Sequence, residues 1–281
     1  LRKHYQDLFM QKCLLFLILS YLLSSIYQPI YGQNFLSLSD ELVRDSWQNA
    51  GQWFTKPTEV KKSALIGLGA ISLVSATMVW DEQLQPQLAQ GDQIQSSTFS
   101  QISEPFGNPL KMGILALGTY YTAGYLKNER LQGASSAAVQ AMLTAGMAAV
   151  TVKLLVHRVR PEEQIIYDPY QFKGASFSGD NLSFPSGHST IAFALASSIS
   201  SFYEYDLSIA IPLYAVASLT ALQRVYDYKH WPSDVLAGAF LGAWIGAKVG
   251  QWQRTRQSPL SLNLSSNQWG GIVLQAKLKL D

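Results

Sequence analysis

Cysteine and charge are what this 281-residue chain has least of. Its one cysteine, Cys13, lies in an N-terminal apolar run, which rules out a disulfide framework within the chain. A protein without that run would carry no thiol, which suits an oxidising compartment. Charged residues make up 14% of the chain, against roughly 25% in an average soluble protein. With 48% apolar residues, that shortage points to a membrane-associated or heavily buried helical protein. Mean hydropathy, at +0.06, is nevertheless low for a chain that is mostly bilayer-spanning. Net charge is only +2 and no long basic run occurs, which argues against nucleic acid as a partner. No internal repeat is evident.

The length allows one domain with a sizeable core, plus tails. From Met10 the chain has a short basic start with Lys12, an apolar run from Cys13 to Leu23, two serines and a turn at Pro29. Residues 1–32 therefore read as a secretory signal peptide or as an uncleaved N-terminal anchor. Residues 33–62 are polar and read as a leader. Residues 63–256 then hold six segments with few or no charges: Ser63–Trp80, Met112–Leu126, Leu131–Val152, Ser189–Tyr203, Leu207–Gln223 and Val235–Ala247. The expected fold is an all-α bundle of six core helices, whose Ala, Gly, Ser and Thr residues permit close helix approach. Most of these segments are shorter than the ~20 residues that cross a bilayer, so each is either a span or a buried helix.

Two connections are long. Residues 81–111 are expected to hold an amphipathic helix around Leu84 to Ile102. Residues 161–187 contain Pro161, Pro169, Gly174, Gly179 and Pro185, so they cannot form one helix. A loop that long in a helical domain is usually functional. The tail, residues 257–281, alternates apolar and polar residues on either side of Asn267 to Gly271 and reads as a β-hairpin.

Three clusters carry chemistry. Lys153 and Arg160 are seven apart, on nearly the same face if the helix runs on to Pro161. Alone, this pair would equally serve as a basic helix end snorkelling to lipid headgroups. Pro185-Ser186-Gly187-His188 opens a helix, whose free amides and dipole favour an anion, and Gly187 lets the backbone approach a phosphate. In the third cluster Arg224 precedes His230 and Asp234, and Pro232 suits a first helical turn. Asp234, four residues after His230, can reach back to one ring nitrogen and leave the other as nucleophile. Together the clusters supply cations for phosphate oxygens, an in-line nucleophile and a second histidine, the parts required for phosphoryl transfer.

On these residues the chain resembles the type-2 phosphatidic acid phosphatase superfamily, which also includes bacterial acid phosphatases and vanadium haloperoxidases. Its Lys, six residues, Arg-Pro element is met by Lys153, Arg160 and Pro161. Residues 185–188 match its Pro-Ser-Gly-His element in full. The final element, Ser-Arg, five residues, His, three residues, Asp, is met by Arg224, His230 and Asp234, with Gln223 in place of serine. The resemblance covers roughly residues 56–252. It implies that His230 attacks phosphorus, that Asp234 orients it, and that His188 protonates the departing oxygen. It further implies that Lys153, Arg160, Arg224 and the amides near Ser186 and Gly187 hold the charged oxygens.

Three converging cations would repel a divalent ion, so no metal and no other cofactor is expected. A lipid phosphate or polyprenyl pyrophosphate at a membrane is the expected substrate. A soluble phosphomonoester, and halide oxidation with bound vanadate, are the alternatives. With six spanning helices and a cytoplasmic start, Lys56, Lys61, Lys62, Lys127, Arg130, Arg254 and Arg256 fall on one side and the acidic 81–111 connection on the other, which by the positive-inside rule places the site away from the cytoplasm. A cleaved signal peptide conflicts with that count and implies an exported, peripheral or partly embedded bundle, with the site again on the outer side. The expected location is a bacterial-type cell membrane or periplasm.

Overall fold

The structure is a computed structural model that describes residues 57–88, 98–164, 168–257, 260–266 and 272–278. The signal peptide or anchor, and the leader up to residue 56, lie outside the described residues. Helix α1 (Pro57–Leu88) begins on a proline, which suits a first helical turn. Residues 57–62, expected in the leader, are therefore helical, and α1 runs on past Trp80 where the first core segment was expected to stop. The extension is anchored on one face: Asp81 and Gln85, one turn apart, are fully buried. The expected amphipathic helix is accordingly divided. Its first residues complete α1, its last belong to the short α2 (Thr98–Ser103), and residues 89–97 lie outside the described residues.

A 3₁₀ turn, Glu104–Gly107, leads into α3 (Pro109–Tyr125). The Asn108 side chain caps α3 by accepting from the amides of Leu110 and Lys111 at 3.1 and 3.2 Å. Asn128 caps α4 (Glu129–Val156) in the same way. Ser186 caps α5 (Gly187–Phe202), and Asp206 caps α6 (Leu207–Tyr226). The last helix is α7 (Pro232–Gln257). Strands β1 (Leu260–Ser266) and β2 (Ile272–Leu278) pair antiparallel with Leu260 opposite Leu278, the expected hairpin. The expected six core helices correspond to α1, α3, α4, α5, α6 and α7.

Helix α5 is central and packs against α4, α6 and α7. Its contact with α7 is close because both faces are small. Gly238, Gly242, Gly246 and Gly250 recur every fourth residue on α7 and lie against Ser186, Thr190, Ala194 and Ser198, which recur in the same way on α5. Ridges at that spacing interdigitate. A Cβ on Gly242 or Gly246 would run into the carbonyl of Thr190 or Ala194. Beside this seam, Ala137, Ala141 and Ala145 of α4 pack with Ala194, Ile245 and Val249.

Three helical stretches, Leu65–Leu88, Glu129–Val156 and Leu207–Tyr226, are long and apolar enough to cross a membrane. Helix α1 exposes Leu65, Leu68, Ile71 and Val79, and α6 exposes Leu207, Ile211 and Leu222. At one end of the bundle Arg254 pairs with Glu204, and Arg130 lies 4.9 Å above the Tyr203 ring. The three chemical clusters lie at the opposite ends of these helices.

Candidate active site

Four helix ends converge. Lys153 is in the last turn of α4 and Arg224 in the last turn of α6. Gly187 and His188 open α5, and Asp234 is in the first turn of α7. The charges of Lys153, Arg160 and Arg224 all act on the His230 ring, and those of Arg224 and Arg160 on His188. All eight expected site residues are thus brought to one place. Lys153 and Arg160 do not meet along one helical face, however. Helix α4 stops at Val156, His157 turns the chain at φ 46°, and Arg160 is extended. His157 serves that turn: its ring nitrogens lie 3.0 Å from the carbonyls of Leu154 and Ser178.

Lys153 Nζ donates to the Leu182 carbonyl at 2.5 Å and lies 3.3 Å from that of Ser183. Its Cε is 3.8 Å from where a Cβ on Gly187 would stand. Arg224 is buried, and its Nε has no hydrogen-bond partner among the described residues. Such an orphaned charged donor fits an anion. The helix-start amides need one correction. The Ser186 amide donates to the Asp234 carbonyl at 2.9 Å, so it staples α5 to α7 and is not free. The amides of Gly187 and His188 have no backbone acceptor among the described residues and remain open.

His230 and Asp234 are not in direct hydrogen bond. Asp234 Oδ2 is 3.8 Å from His230 Nδ1. Ser183 fills the gap: its Oγ donates to Asp234 Oδ2 at 2.5 Å and lies 3.4 Å from His230 Nδ1. With its proton on Asp234, that oxygen has only lone pairs to offer the ring, which favours the tautomer with hydrogen on Nδ1 and a free pair on Nε2. Asp234 also accepts from the Trp231 amide at 3.0 Å and from Arg158 at 2.6 Å. Arg158 in turn pairs with Asp81 at 2.7 Å, and Asp81 accepts from the Ser233 amide at 2.9 Å. Burial alone would push Asp234 up, but Arg158, His230 and Ser183 outweigh it and hold Asp234 at about 2. Burial drives His230 well below its ordinary value against the pull of Asp234, and Lys153, Arg160 and Arg224 add to the depression. The ring is therefore neutral beside an ionised carboxylate.

His188 faces a carboxylate of its own. Glu104 Oε1 is 3.6 Å from His188 Nε2, and Glu104 also takes Lys111 Nζ at 2.6 Å and Asn108 Nδ2 at 3.0 Å. Burial lowers His188 to about 4; Glu104 opposes this, while Arg224 and Arg160 reinforce it. Glu104 is held well below the carboxylate range, first by His188, with Asn108 and Lys111 outweighing burial. Gln223, where the family pattern has serine, donates to Asp227, which accepts from Ser100 of α2 at 2.7 Å.

Sequence reasoning passed over Asp81, Arg158, Ser183 and Glu104. Asp81 and Arg158 had a usable signal, a lone acid directly after an apolar segment and a second arginine beside Arg160. Ser183 and Glu104 had none. Among the described residues, no group of three or more His, Cys, Asp or Glu is placed to hold a metal ion.

An apolar groove of about 250 Å³ lies within the bundle. Ala192, Leu195 and Ile199 line it from α5, and Leu213 and Ala217 from α6. His188 continues the α5 stripe and Arg224 the α6 stripe by the same helical spacing, each beyond the residues that line the groove. Phe106 lines its upper part, and the neighbouring Gly107 packs against His188 and Thr220.

Residues 135–258 match the family model of the PAP2 superfamily. A lipid A 1-phosphatase of Porphyromonas gingivalis is 40% identical over 73 residues, 25% of this chain and 16% of that protein. One from Rhizobium johnstonii is 35% identical over 106 residues, 35% of this chain and 39% of the relative. A third, from Rhizobium etli, is 32% identical over 104 residues, 35% of this chain and 41% of the relative. The chain thus spans less than half the length of each of these relatives. No solved structure matches it.

Proposed function

We propose that this chain, which belongs to the PAP2 superfamily through residues 135–258, is a phosphoric ester hydrolase that removes phosphate from a membrane lipid through a phosphohistidine intermediate. The apolar groove on the two helical stripes that His188 and Arg224 continue carries the choice of a lipid: an acyl chain attached to a phosphate held by the cations would lie along those stripes. The exposed apolar flanks of α1 and α6, and the lipid A 1-phosphatases among its relatives, support the same choice.

In this reading His230 Nε2 attacks phosphorus, neutral because burial and three cations keep its proton off. Ser183 and Asp234 stabilise the charge that develops on the ring. Lys153, Arg160, Arg224 and the amides of Gly187 and His188 hold the equatorial oxygens. His188 protonates the departing oxygen and then takes a proton from the water that hydrolyses the phosphoenzyme. Ser186 acts through the cap and the staple to α7.

Phosphate release is to be measured on long-chain lipid phosphates, lipid pyrophosphates and soluble phosphomonoesters, with and without chelator. The expected outcome is preferential release from lipid, retained in chelator and inhibited by vanadate, with His230→Ala abolishing turnover and phosphoenzyme formation. Equal rates on soluble esters would remove the lipid assignment. Activity lost in chelator and restored by zinc or magnesium would remove the metal-free mechanism.

A further inference from the structure

We infer that Glu104 is the positioning residue for His188: its carboxylate engages ring Nε2, so that Nδ1 is turned to the leaving oxygen and carries the proton that oxygen needs. The inference rests on the phosphatase reading above and extends it to a residue outside the three motifs.

Four observations carry it. His188 Nε2 is buried without a hydrogen-bond partner among the described residues, and Glu104 Oε1 stands 3.6 Å away. Closing to a charge-assisted hydrogen bond needs a movement of somewhat under about 1 Å. Glu104 is fixed from behind, with Asn108 on one oxygen at 3.0 Å and Lys111 on the other at 2.6 Å. The turn that bears it is seated on the histidine, since a Cβ on Gly107 would stand 2.7 Å from His188 Cβ. The other charges that act on His188, Arg224 after the groove wall and Arg160 after α4, are both positive and disfavour its protonation. Glu104 is the charge that opposes them, and Lys111 on α3 weakens it from behind.

The proton balance is closed, starting from the imidazolium that His188 forms when a bound phosphate anion offsets Arg224 and Arg160. In the first half-reaction the His230 Nε2–phosphorus bond forms, the phosphorus–oxygen ester bond breaks, and the leaving oxygen takes the proton from His188 Nδ1. In the second, a water oxygen bonds phosphorus, the phosphorus–nitrogen bond breaks, and the water proton returns to His188 Nδ1. Glu104 is a carboxylate before, during and after.

The test compares the full-length chain in lipid with Glu104→Gln, Glu104→Asp and Lys111→Met, on dioleoyl phosphatidic acid and on p-nitrophenyl phosphate, across pH. In Glu104→Gln the alkaline limb of kcat should move to lower pH by about 1 unit, because the imidazolium loses its anion. Turnover of the alkyl ester should fall roughly 100-fold and that of the aryl ester much less, since a nitrophenolate leaves without a proton. Glu104→Asp should recover part of the loss. Lys111→Met should move the limb the other way, by strengthening the negative field at His188. Equal losses on both esters with an unmoved limb would overturn the inference. So would an unmoved limb in Lys111→Met, which decides the matter if Glu104→Gln does not fold. An NMR titration of the His188 ring follows the same shift without turnover. A wild type inactive on every phosphate would therefore sink the phosphatase reading, while the titration still decides the contact.

Discussion

Arg158 is enclosed between the rings of Phe172 and Trp231, at 5.3 and 5.4 Å, and divides its guanidinium between Asp81 and Asp234. Two carboxylates and one cation buried together are tolerable only as a complete set, because removing one member strands the others without water. Arg158→Ala should therefore lower stability by about 3–5 kcal/mol in denaturant titration, and Arg158→Lys should recover little, having no planar fork to span both acids. A loss below about 1 kcal/mol would show that the triad contributes nothing. Ser183 makes a finer prediction. If its hydroxyl links His230 to Asp234, Ser183→Ala should slow phosphoenzyme formation roughly 10- to 100-fold, the worth of a hydrogen bond to a charged group, with KM little changed. Unchanged phosphorylation would mean that Asp234 closes its 3.8 Å gap unaided. The two site histidines also set a pH dependence. Both are depressed in the folded chain, His188 to about 4 from 6.5, so below about 6.5 the unfolded state binds protons that the folded state refuses. Stability is fully present above that pH and falls as pH drops from 6.5 towards 4. His188→Gln should flatten this fall in Tm scans, and an unchanged slope would contradict the depression.

At the scale of elements, the α5–α7 seam sets the spacing between the helix starts that bear His188 and Asp234. Its glycines have no room for a methyl group, whereas Gly67 and Gly69 on α1 have nothing within 4 Å of an added Cβ. Gly242→Ala should therefore cost about 1–3 kcal/mol through overpacking and lower activity as the two starts are pushed apart. Gly67→Ala should be neutral or stabilising, by up to about 1 kcal/mol of helix propensity. Thermal unfolding of the pair is the check, and similar effects at both positions would mean that the seam is not tight.

For the whole molecule, the two ends use their cations differently. Lys127, Arg130, Arg254 and Arg256 lie at the end away from the site, while at the end that bears it Lys153, Arg158, Arg160 and Arg224 are drawn into the site and its supports and Lys111 pairs with Glu104. Three helices are able to cross a bilayer, and the expectation from the positive-inside rule, a site facing away from the cytoplasm, is open to test. Phe177, 95% exposed on the site loop, is a suitable reporter of this. In a Cys13→Ser background, Phe177→Cys should react with a membrane-impermeant thiol reagent in cells whose outer barrier alone is permeabilised. Labelling only after the inner membrane is lysed would reverse the topology.

The helices and the three site clusters were legible from the chain because each is written over a short stretch: apolar runs ended by turn residues, and cations and histidines at fixed local spacings. Pro232 and Asp234, for instance, mark a helix start from neighbours alone. Where α4 stops was not legible, since the break at His157 depends on carbonyls and a loop that return to it from Ser178. What holds the motif residues was decided only by the tertiary structure. Asp81 reaches Arg158 across 77 positions, Arg158 reaches Asp234 across 76, and Ser183 reaches Asp234 across 51. Local spacing specifies which side chains a turn of helix presents. Which buried charge neutralises another depends on how the helices pack, and there the cost of an unpaired charge in a water-free interior selects the partner.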